Sequence, residues 1–395
     1  MDGMDWSRQQ VEAIAQVERW LGRGGGEVFR LFGYAGTGKT TLLKYFAKRC
    51  DARVAAFTGK AAQVLRTKGV ADASTIHSLI YIPVDKTELR AERDKLKRKK
   101  MLTPAEERRL RKLQEELRGP SFVLNRVGLR LNPPDLIMLD ECSMIDKQMA
   151  RDLLSFELPL LVVGDPAQLP PINGEGYFTN GEEPDVMLTE IHRQARGSPI
   201  IRMATRARQG EPVRGRWGNC GVSASLPPDW WREWQLLCGR NITRHNYNRR
   251  GRALFGFDDE LPVAGDRLVC LRNNHALGLL NGSLWRVTEA SYGRRNVPYF
   301  SLQLVSLDDG EREVECHAHK KIFQEVDAYE DWDWQDRLQA EEFDYGYALT
   351  VHKAQGSQWD RVVLVDESWC FREHRDRWLY TGLTRACEQL TLIRS

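Results

Sequence analysis

The sequence predicts an α/β protein of two parallel-sheet domains, the first interrupted by a helical hairpin and the second by a small antiparallel barrel. Three observations carry that reading. An apolar run at 28–32 leads directly into residues 33–40, which fit G-x-x-x-x-G-K-[ST], and then into a helical stretch at 41–48. Strand, loop and helix signals alternate from there to about residue 208 and again from Tyr347 onward, the pattern of parallel sheets covered by helices on both faces. Between these regions, residues 283–323 show short alternating strands around a turn at Asp308-Asp309-Gly310.

Composition narrows the class. Hydrophobic residues make up 42% of the 395, and no apolar run approaches the ~20 residues of a membrane helix, so a cytoplasmic protein with no membrane partner is expected. The opening Met1-Asp2-Gly3-Met4-Asp5-Trp6-Ser7 lacks the basic and apolar regions of a secretory signal. Eight cysteines form no C-x-x-C pair, which argues against zinc-ribbon or iron–sulfur sites and for free thiols. Cys316-His317-Ala318-His319 lies in an alternating stretch that places Cys316 and Ala318 on one face and both histidines on the other, a packing strand in preference to a metal site. A net charge of +3 decides nothing about nucleic acid, so local charge must.

Taken in order, residues 5–21 read as an amphipathic helix with Ser7 as N-cap and Val11, Ile14, Val17, Trp20 and Leu21 on one side. The strand and helix around residues 33–40 make a phosphate cradle. Glycines turn backbone N–H groups toward a polyphosphate, the helix N-terminus adds partial positive charge, Lys39 reaches the outer phosphates, and the Thr40 hydroxyl is placed to ligate Mg²⁺. A strand at 53–58 then opens into a helix. Residues 85–118 carry thirteen Lys/Arg against eight Asp/Glu and few apolar positions. A Thr103-Pro104-Ala105-Glu106 capping box divides them into two helices, about 86–101 and 104–118, folded back on each other. Such a charge run serves equally as a solvated arm or a nucleic-acid contact.

The sheet resumes at 135–139 and ends in Asp140 and Glu141, carboxylates at a strand end beside the cradle, where a metal ligand and a general base belong. The strand at 158–163 ends in Gly164-Asp165-Pro166-Ala167-Gln168-Leu169-Pro170-Pro171, whose prolines hold Gln168 on a stiff loop. A helix is expected from Leu188 to about Arg208, then a linker at 209–228. The second domain follows with strands at 235–238 and 266–271, a helix at 243–255, the barrel strands, and a return to α/β character to the end. Trp230, Trp231 and Trp234 have helical spacing and suit packing better than base stacking.

Eight segments in this order resemble superfamily 1B helicases of the RecD/Dda type, and the resemblance covers nearly the whole chain: Ser7-Arg8-Gln9-Gln10, residues 33–41, Thr58-Gly59-Lys60-Ala61-Ala62, Asp140-Glu141-Cys142-Ser143-Met144, residues 164–171, Glu190-Ile191-His192-Arg193-Gln194, residues 350–357, and Tyr380-Thr381-Gly382-Leu383-Thr384-Arg385-Ala386. The resemblance implies two RecA-like P-loop NTPase domains: residues 1–208 with the helical insertion at about 83–134, and residues 209–281 with 340–395, carrying an SH3-like barrel at 282–339. It implies that ATP binds through Gly33, Ala35, Gly36, Thr37, Gly38, Lys39, Thr40 and Thr41, with Gln10 on the adenine and Gly356 approaching from the second domain. It implies Mg²⁺ on Thr40 and Asp140, Glu141 activating water, Gln168 sensing the γ-phosphate, and Arg193 and Arg385 as arginine fingers.

DNA contacts are implied at Thr58, Gly59, Lys60, Thr75, His77, Thr350, His352 and Lys353, residue types suited to sugar–phosphate binding and stacking. The implied activity is ATP-driven 5′ to 3′ translocation on single-stranded DNA with duplex unwinding, on single strands and single-strand/duplex junctions. A monomer working with replication or repair proteins is expected. A non-unwinding, ATP-gated DNA-binding subunit and an RNA helicase of the same superfamily are the alternatives. The family usually carries a short β-hairpin wedge where this chain shows a basic helical hairpin, so the wedge is either rebuilt from helices or lies elsewhere, for instance in residues 120–134.

Overall fold

The computed structural model describes residues 6–26, 28–99, 101–118, 122–171, 174–181, 183–191, 197–293, 297–310, 312–324 and 340–394. Helix Arg8–Gly22 opens the first half. Its first turn is closed by a capping box in which Ser7 Oγ accepts from the Gln10 N–H (3.3 Å) and Gln10 Oε1 accepts from the Ser7 N–H (3.0 Å). Eight strands follow: β1 (Val28–Gly33), β2 (Ala52–Ala56), β3 (Ser74–Thr75), β4 (Tyr81–Pro83), β5 (Phe122–Leu124), β6 (Leu136–Asp140), β7 (Leu160–Gly164) and β8 (Val186–Leu188). Six of them form one parallel sheet in the order β3-β2-β6-β7-β1-β8. The runs Leu136-Ile137-Met138-Leu139 and Leu160-Leu161-Val162-Val163 are buried throughout, as central parallel strands covered on both faces must be. Because β6, β7 and β1 are neighbours, the loops after them emerge side by side at one end of the sheet.

The expected helix from Leu188 begins later. Val186–Leu188 is β8, held parallel to β1, and the helix is Pro199–Arg208, started by Ser198 as N-cap and a proline in its first turn. Residues 192–196, which include Arg193, lie outside the described residues.

The hairpin of the insertion is two helices, Thr87–Lys97 and Pro104–Arg118, and a short third helix, Arg126–Leu131, follows β5. The hairpin helices pack through Leu96 and Leu113, both buried, and are tied by a two-pronged Arg109–Glu92 pair at 2.8 and 2.6 Å. Lys86 Nζ donates to the Leu117 carbonyl at 3.0 Å. At the base of the insertion β4 and β5 pair antiparallel, a ribbon that the sequence reading did not place.

The second half adds β9 (Arg216–Trp217), β10 (Cys220–Ser223), β11 (Gln235–Cys238), β12 (Arg267–Cys270), β13 (Leu284–Ser291), β14 (Tyr299–Ser306), β15 (Glu313–His319), β16 (Phe343–Tyr345), β17 (Ala348–Thr350), β18 (Trp359–Val365) and β19 (Ala386–Ile393). Its main sheet runs β17-β11-β18-β19-β10-β9, parallel except for the edge pair β9–β10. Residues 209–228, expected as linker, thus supply two short strands of this sheet. The antiparallel sheet runs β15-β14-β13-β12-β16, with a single bridge from Ala318 to Glu341 joining its two ends. It therefore begins at β12, a strand expected in the parallel sheet. In β15 Cys316 and Ala318 point inward and His317 outward, but His319 is buried as well. Trp230 and Trp234 are buried against Leu236, Cys238 and Val363, a packing role.

Candidate nucleotide cleft and nucleic-acid channel

The phosphate loop is shaped by its glycines. Gly36 and Gly38 have φ of 81° and 83°, a left-handed backbone that residues with a Cβ resist. A Cβ on Gly33 would come within 2.6 Å of Thr37 Oγ1 and 2.8 Å of Leu188 Cβ. Helix Lys39–Ala47 then starts at the loop, with Lys39 Nζ donating to the Gly33 (2.7 Å) and Tyr34 (3.1 Å) carbonyls. Gln10 sits behind this loop. It is 1% exposed, its Nε2 donates to the Thr37 carbonyl at 3.2 Å, and its Oε1 is held by the Ser7 N–H, so both ends of the amide expected on adenine are engaged in supporting the loop.

A cavity of about 520 Å³ opens where the two parallel-sheet domains meet. From the first domain it is lined by Ala35, Gly36, Gly38, Lys39, Thr40, Thr41, Asp140, Glu141 and Gln168, and from the second by Gly356 and Arg385. Gly33 and Thr37 shape the loop without facing the cavity. Burial, and after it the neighbouring Glu141, push the Asp140 carboxyl well above the usual carboxylate range, while Lys39 and Lys68 pull the other way. Gln168 Oε1 is buried with no hydrogen-bond partner among the described residues, an acceptor left for something in the cavity. Arg385 is 4% exposed; its Nε donates to the Thr381 carbonyl (3.1 Å) and its guanidinium to the Ser357 carbonyl (3.3 Å). Glu141 itself has φ 55°, left-handed for a non-glycine residue, in the turn that aims it off the end of β6.

A second cavity, about 840 Å³, is lined by Thr58 and Lys60 of the first domain, Thr350, His352 and Lys353 of the second, and Val269, Leu271 and Gly282 of the antiparallel sheet and its adjoining turns. Five of the eight residues expected to touch DNA thus meet here. Thr58 also caps helix Gly59–Thr67, accepting from the Ala61 N–H at 3.1 Å. Gly59 is buried against Asn273 and Leu280. Lys60 forms an ion pair with Asp308 at 2.8 Å, a partner that no local sequence signal announces. Thr75 is buried and used as the N-cap of helix Ile76–Ile80. His77 is exposed outside this cavity, 4.7 Å from the Tyr81 ring and 4.5 Å from the Phe122 ring, at the β4–β5 ribbon. Burial, then His374, lowers the affinity of His352 for a proton. Phe371, which the sequence reading passed over, lines the same cavity 5.4 Å from His352 and stacks on Trp378.

The two cavities share walls. Helix Gly59–Thr67 sends Ala61 and Val64 to the first while Lys60 faces the second, and Gly356 faces the first while Gln355 and Ser357 face the second. The segments touch: a Cβ on Gly356 would lie 2.9 Å from both Thr58 Oγ1 and Ala61 Cβ.

Residues 6–217 match the model of an AAA domain family, and residues 345–393 that of the UvrD-like helicase C-terminal domain. The chain is 27% identical over 420 residues to the ATP-dependent RecD2 DNA helicase of Deinococcus radiodurans, covering 96% of this chain and 48% of that protein. The chain belongs to the AAA domain family, and along nearly its whole length it resembles a RecD-type helicase. A conjugal transfer protein TraA of Sinorhizobium fredii, described as probable, is 26% identical over 98% of this chain and 32% of its own length. The chain thus spans about half the length of the RecD2 relative and a third of TraA. Among solved structures, Bacteroides Pif1 bound to ssDNA aligns over 98% of this chain and 92% of its own, with a TM-score of 0.56 at 18% identity. Pif1 helicase from Candida albicans aligns over 99% and 95%, with a TM-score of 0.54. These fold likenesses and the observed sheets give the chain two RecA-like domains, as the motif resemblance implies.

Proposed function

We propose that this chain is an ATP-dependent DNA helicase that translocates 5′ to 3′ on single-stranded DNA and separates duplexes at single-strand junctions. The observation that carries the proposal is the composition of the interdomain cavity: Lys39, Thr40, Asp140, Glu141 and Gln168 from one domain face Arg385 and Gly356 from the other. ATP fits the cradle, whose loop N–H groups, helix N-terminus and Lys39 would neutralise the polyphosphate. The hydroxyl of Thr40 and the carboxylate of Asp140 are the hard oxygen donors Mg²⁺ prefers, and they would hold it. When bound, that ion supplies positive charge to the transferring phosphoryl group.

Glu141 takes a proton from the attacking water, Gln168 orients that water against the γ-phosphate, and Arg385 meets the charge that develops there. Arg193 is proposed as the first domain's own finger. Because Arg385 arrives from the second domain, hydrolysis is fastest when the cleft is closed, and product release lets it open. The shared walls carry that movement to the channel. Thr58 on one side and Thr350, His352 and Lys353 on the other then alternate in their hold on the sugar–phosphate backbone, with Lys60 joining them only when its ion pair with Asp308 opens and Phe371 offering a ring to the bases. The β4–β5 ribbon, which exposes Ile82, Phe122 and Val123, is proposed as the wedge. The five-stranded antiparallel sheet is read as the SH3-like module of the family. The protein is proposed to act as a cytoplasmic monomer alongside replication or repair proteins.

The test is steady-state ATP hydrolysis with and without single-stranded DNA, with strand displacement on duplexes bearing only a 5′ or only a 3′ tail. Strong stimulation with displacement from the 5′ tail is expected. Stimulation without displacement makes it a translocase or a subunit of a larger complex, and stimulation by RNA alone redirects the substrate.

A further inference from the structure

The helix Arg375–Leu383 does more than deliver the residues around Arg385 to the cleft. Tyr380, 2% exposed, reaches across the domain boundary. Its hydroxyl accepts a hydrogen bond from the Ala35 N–H of the phosphate loop at 2.8 Å and donates one to the Asp165 carboxylate, at the end of β7, at 2.5 Å. Asp165 is fully buried and also accepts from the Ala167 N–H at 3.0 Å. The next residue of the helix, Thr381, accepts from the Leu169 N–H at 2.9 Å. Gln355, also of the second domain, donates to the Leu169 carbonyl at 2.9 Å. Both backbone polar groups of the residue that follows Gln168 are therefore held by the opposite domain. The Thr381 carbonyl in turn receives Arg385 Nε at 3.1 Å.

These bonds form a continuous connection from the phosphate loop, through the loop of Gln168, to the guanidinium of Arg385. We propose that Tyr380 is a positioning residue whose hydroxyl sets the phosphate loop and the Gln168 loop in register with Arg385, so that the closed cleft is competent for hydrolysis. The inference rests on the ATPase reading above. Its physical basis is the single hydroxyl serving as acceptor for one loop and donor to the other. A phenylalanine there keeps the ring but leaves the Ala35 N–H without that partner and Asp165 with one donor fewer, which uncouples the two loops from the helix. Binding of ATP depends mainly on the cradle and is little affected, whereas alignment for turnover depends on the coupling.

The experiment uses the full chain and compares wild type, Tyr380→Phe, Asp165→Ala, Asp165→Asn and the double variant Tyr380→Phe/Asp165→Ala. A fluorescent ATP analogue measures binding, and kcat and KM are measured with and without single-stranded DNA. For Tyr380→Phe the expectation is a ~10- to 100-fold loss in kcat with KM and analogue affinity within about threefold, and a reduced stimulation by DNA. Asp165→Asn, which keeps an acceptor for the hydroxyl, retains more turnover than Asp165→Ala. The double variant loses little more than either single one, since both cut the same connection. Wild-type kcat in Tyr380→Phe, or losses that multiply in the double variant, overturns the inference. The wild-type control separates the two levels: no turnover in the unmodified chain removes the ATPase reading and this inference with it, while turnover that ignores Tyr380 removes only the inference.

Discussion

Lys60 Nζ lies 2.8 Å from the Asp308 carboxylate, with the two side chains 12% and 9% exposed, so a residue expected to meet a phosphate is bound instead to the turn of the antiparallel sheet. The pair bridges the first domain and the module inserted in the second. Asp308→Asn keeps the shape and the acceptor for the Leu284 N–H while releasing the lysine. Affinity for single-stranded DNA then rises, and the log–log dependence on salt steepens by about 0.7, one more phosphate neutralised. Fluorescence anisotropy over a salt series measures both; no change in slope means Lys60 does not reach the strand when freed.

The left-handed backbone at Glu141 predicts a separation of stability from activity. A side chain at positive φ costs about 1–2 kcal/mol, which glycine avoids, and removing the carboxylate also relieves Asp140 of a neighbouring charge. Glu141→Gly is expected to lose hydrolysis while gaining up to ~1 kcal/mol in urea unfolding. Glu141→Gln, which keeps the strain, loses hydrolysis without the backbone part of that gain.

Phe371 is half-buried between the channel and Trp378, whose ring it stacks on at 5.3 Å. If it grips bases, Phe371→Ala weakens single-strand binding by about 1–3 kcal/mol and Phe371→Tyr does not. Equal affinities for the two variants would exclude stacking on this ring.

Glu367 predicts a pH effect on stability. Burial pushes its carboxyl up, but hydrogen bonds from Thr243, from the Arg240 backbone and guanidinium, and from the Gly239 N–H outweigh burial and hold it below the usual range. A carboxylate whose folded pKa is depressed stabilises above its unfolded value and loses that contribution as pH falls through the folded one. Glu367→Gln is therefore expected to destabilise at pH 7 by about 1–3 kcal/mol, with the difference from wild type shrinking as the pH drops below the ordinary glutamate range. Urea midpoints between pH 3 and 7 measure it.

Local chemistry made much of this molecule legible. The phosphate loop with strand before and helix after, the Ser7 N-cap, the Thr103 capping box, and the apolar runs of β6 and β7 each signal themselves within a few residues. The cleft residues Lys39, Asp140 and Glu141 stand on such signals, Gln168 and Arg385 are marked by the motif resemblance, and the structure gathers all five into one cavity. What stayed hidden depends on partners far along the chain. Short strands such as Val186–Leu188 and Arg216–Trp217 have too few residues for a period to show, and their strand character comes from the sheet edge they join. One end of the Gln10 amide only closes a capping box with nearby Ser7, but nothing near Gln10 says that the other end will hold the Thr37 carbonyl, and nothing near Lys60 points 248 positions ahead to Asp308. Tyr380 was visible only as the first letter of a motif; its partners Ala35 and Asp165 belong to two separate loops of the other domain.

The β4–β5 ribbon bears on how this chain can change. Chain leaves the first domain at Tyr81–Pro83 and comes back at Phe122–Leu124, directly alongside. Everything between these strands hangs from two adjacent stalks, and the main sheet feels only that its ends are held together. Closure entropy grows slowly with length, by about 0.6 kcal/mol per doubling, so the helical pair can be lengthened, shortened or exchanged at little thermodynamic expense. The insertion is thus a cassette: a place where evolution, or an engineer, can fit a different tool without retuning the engine beneath it.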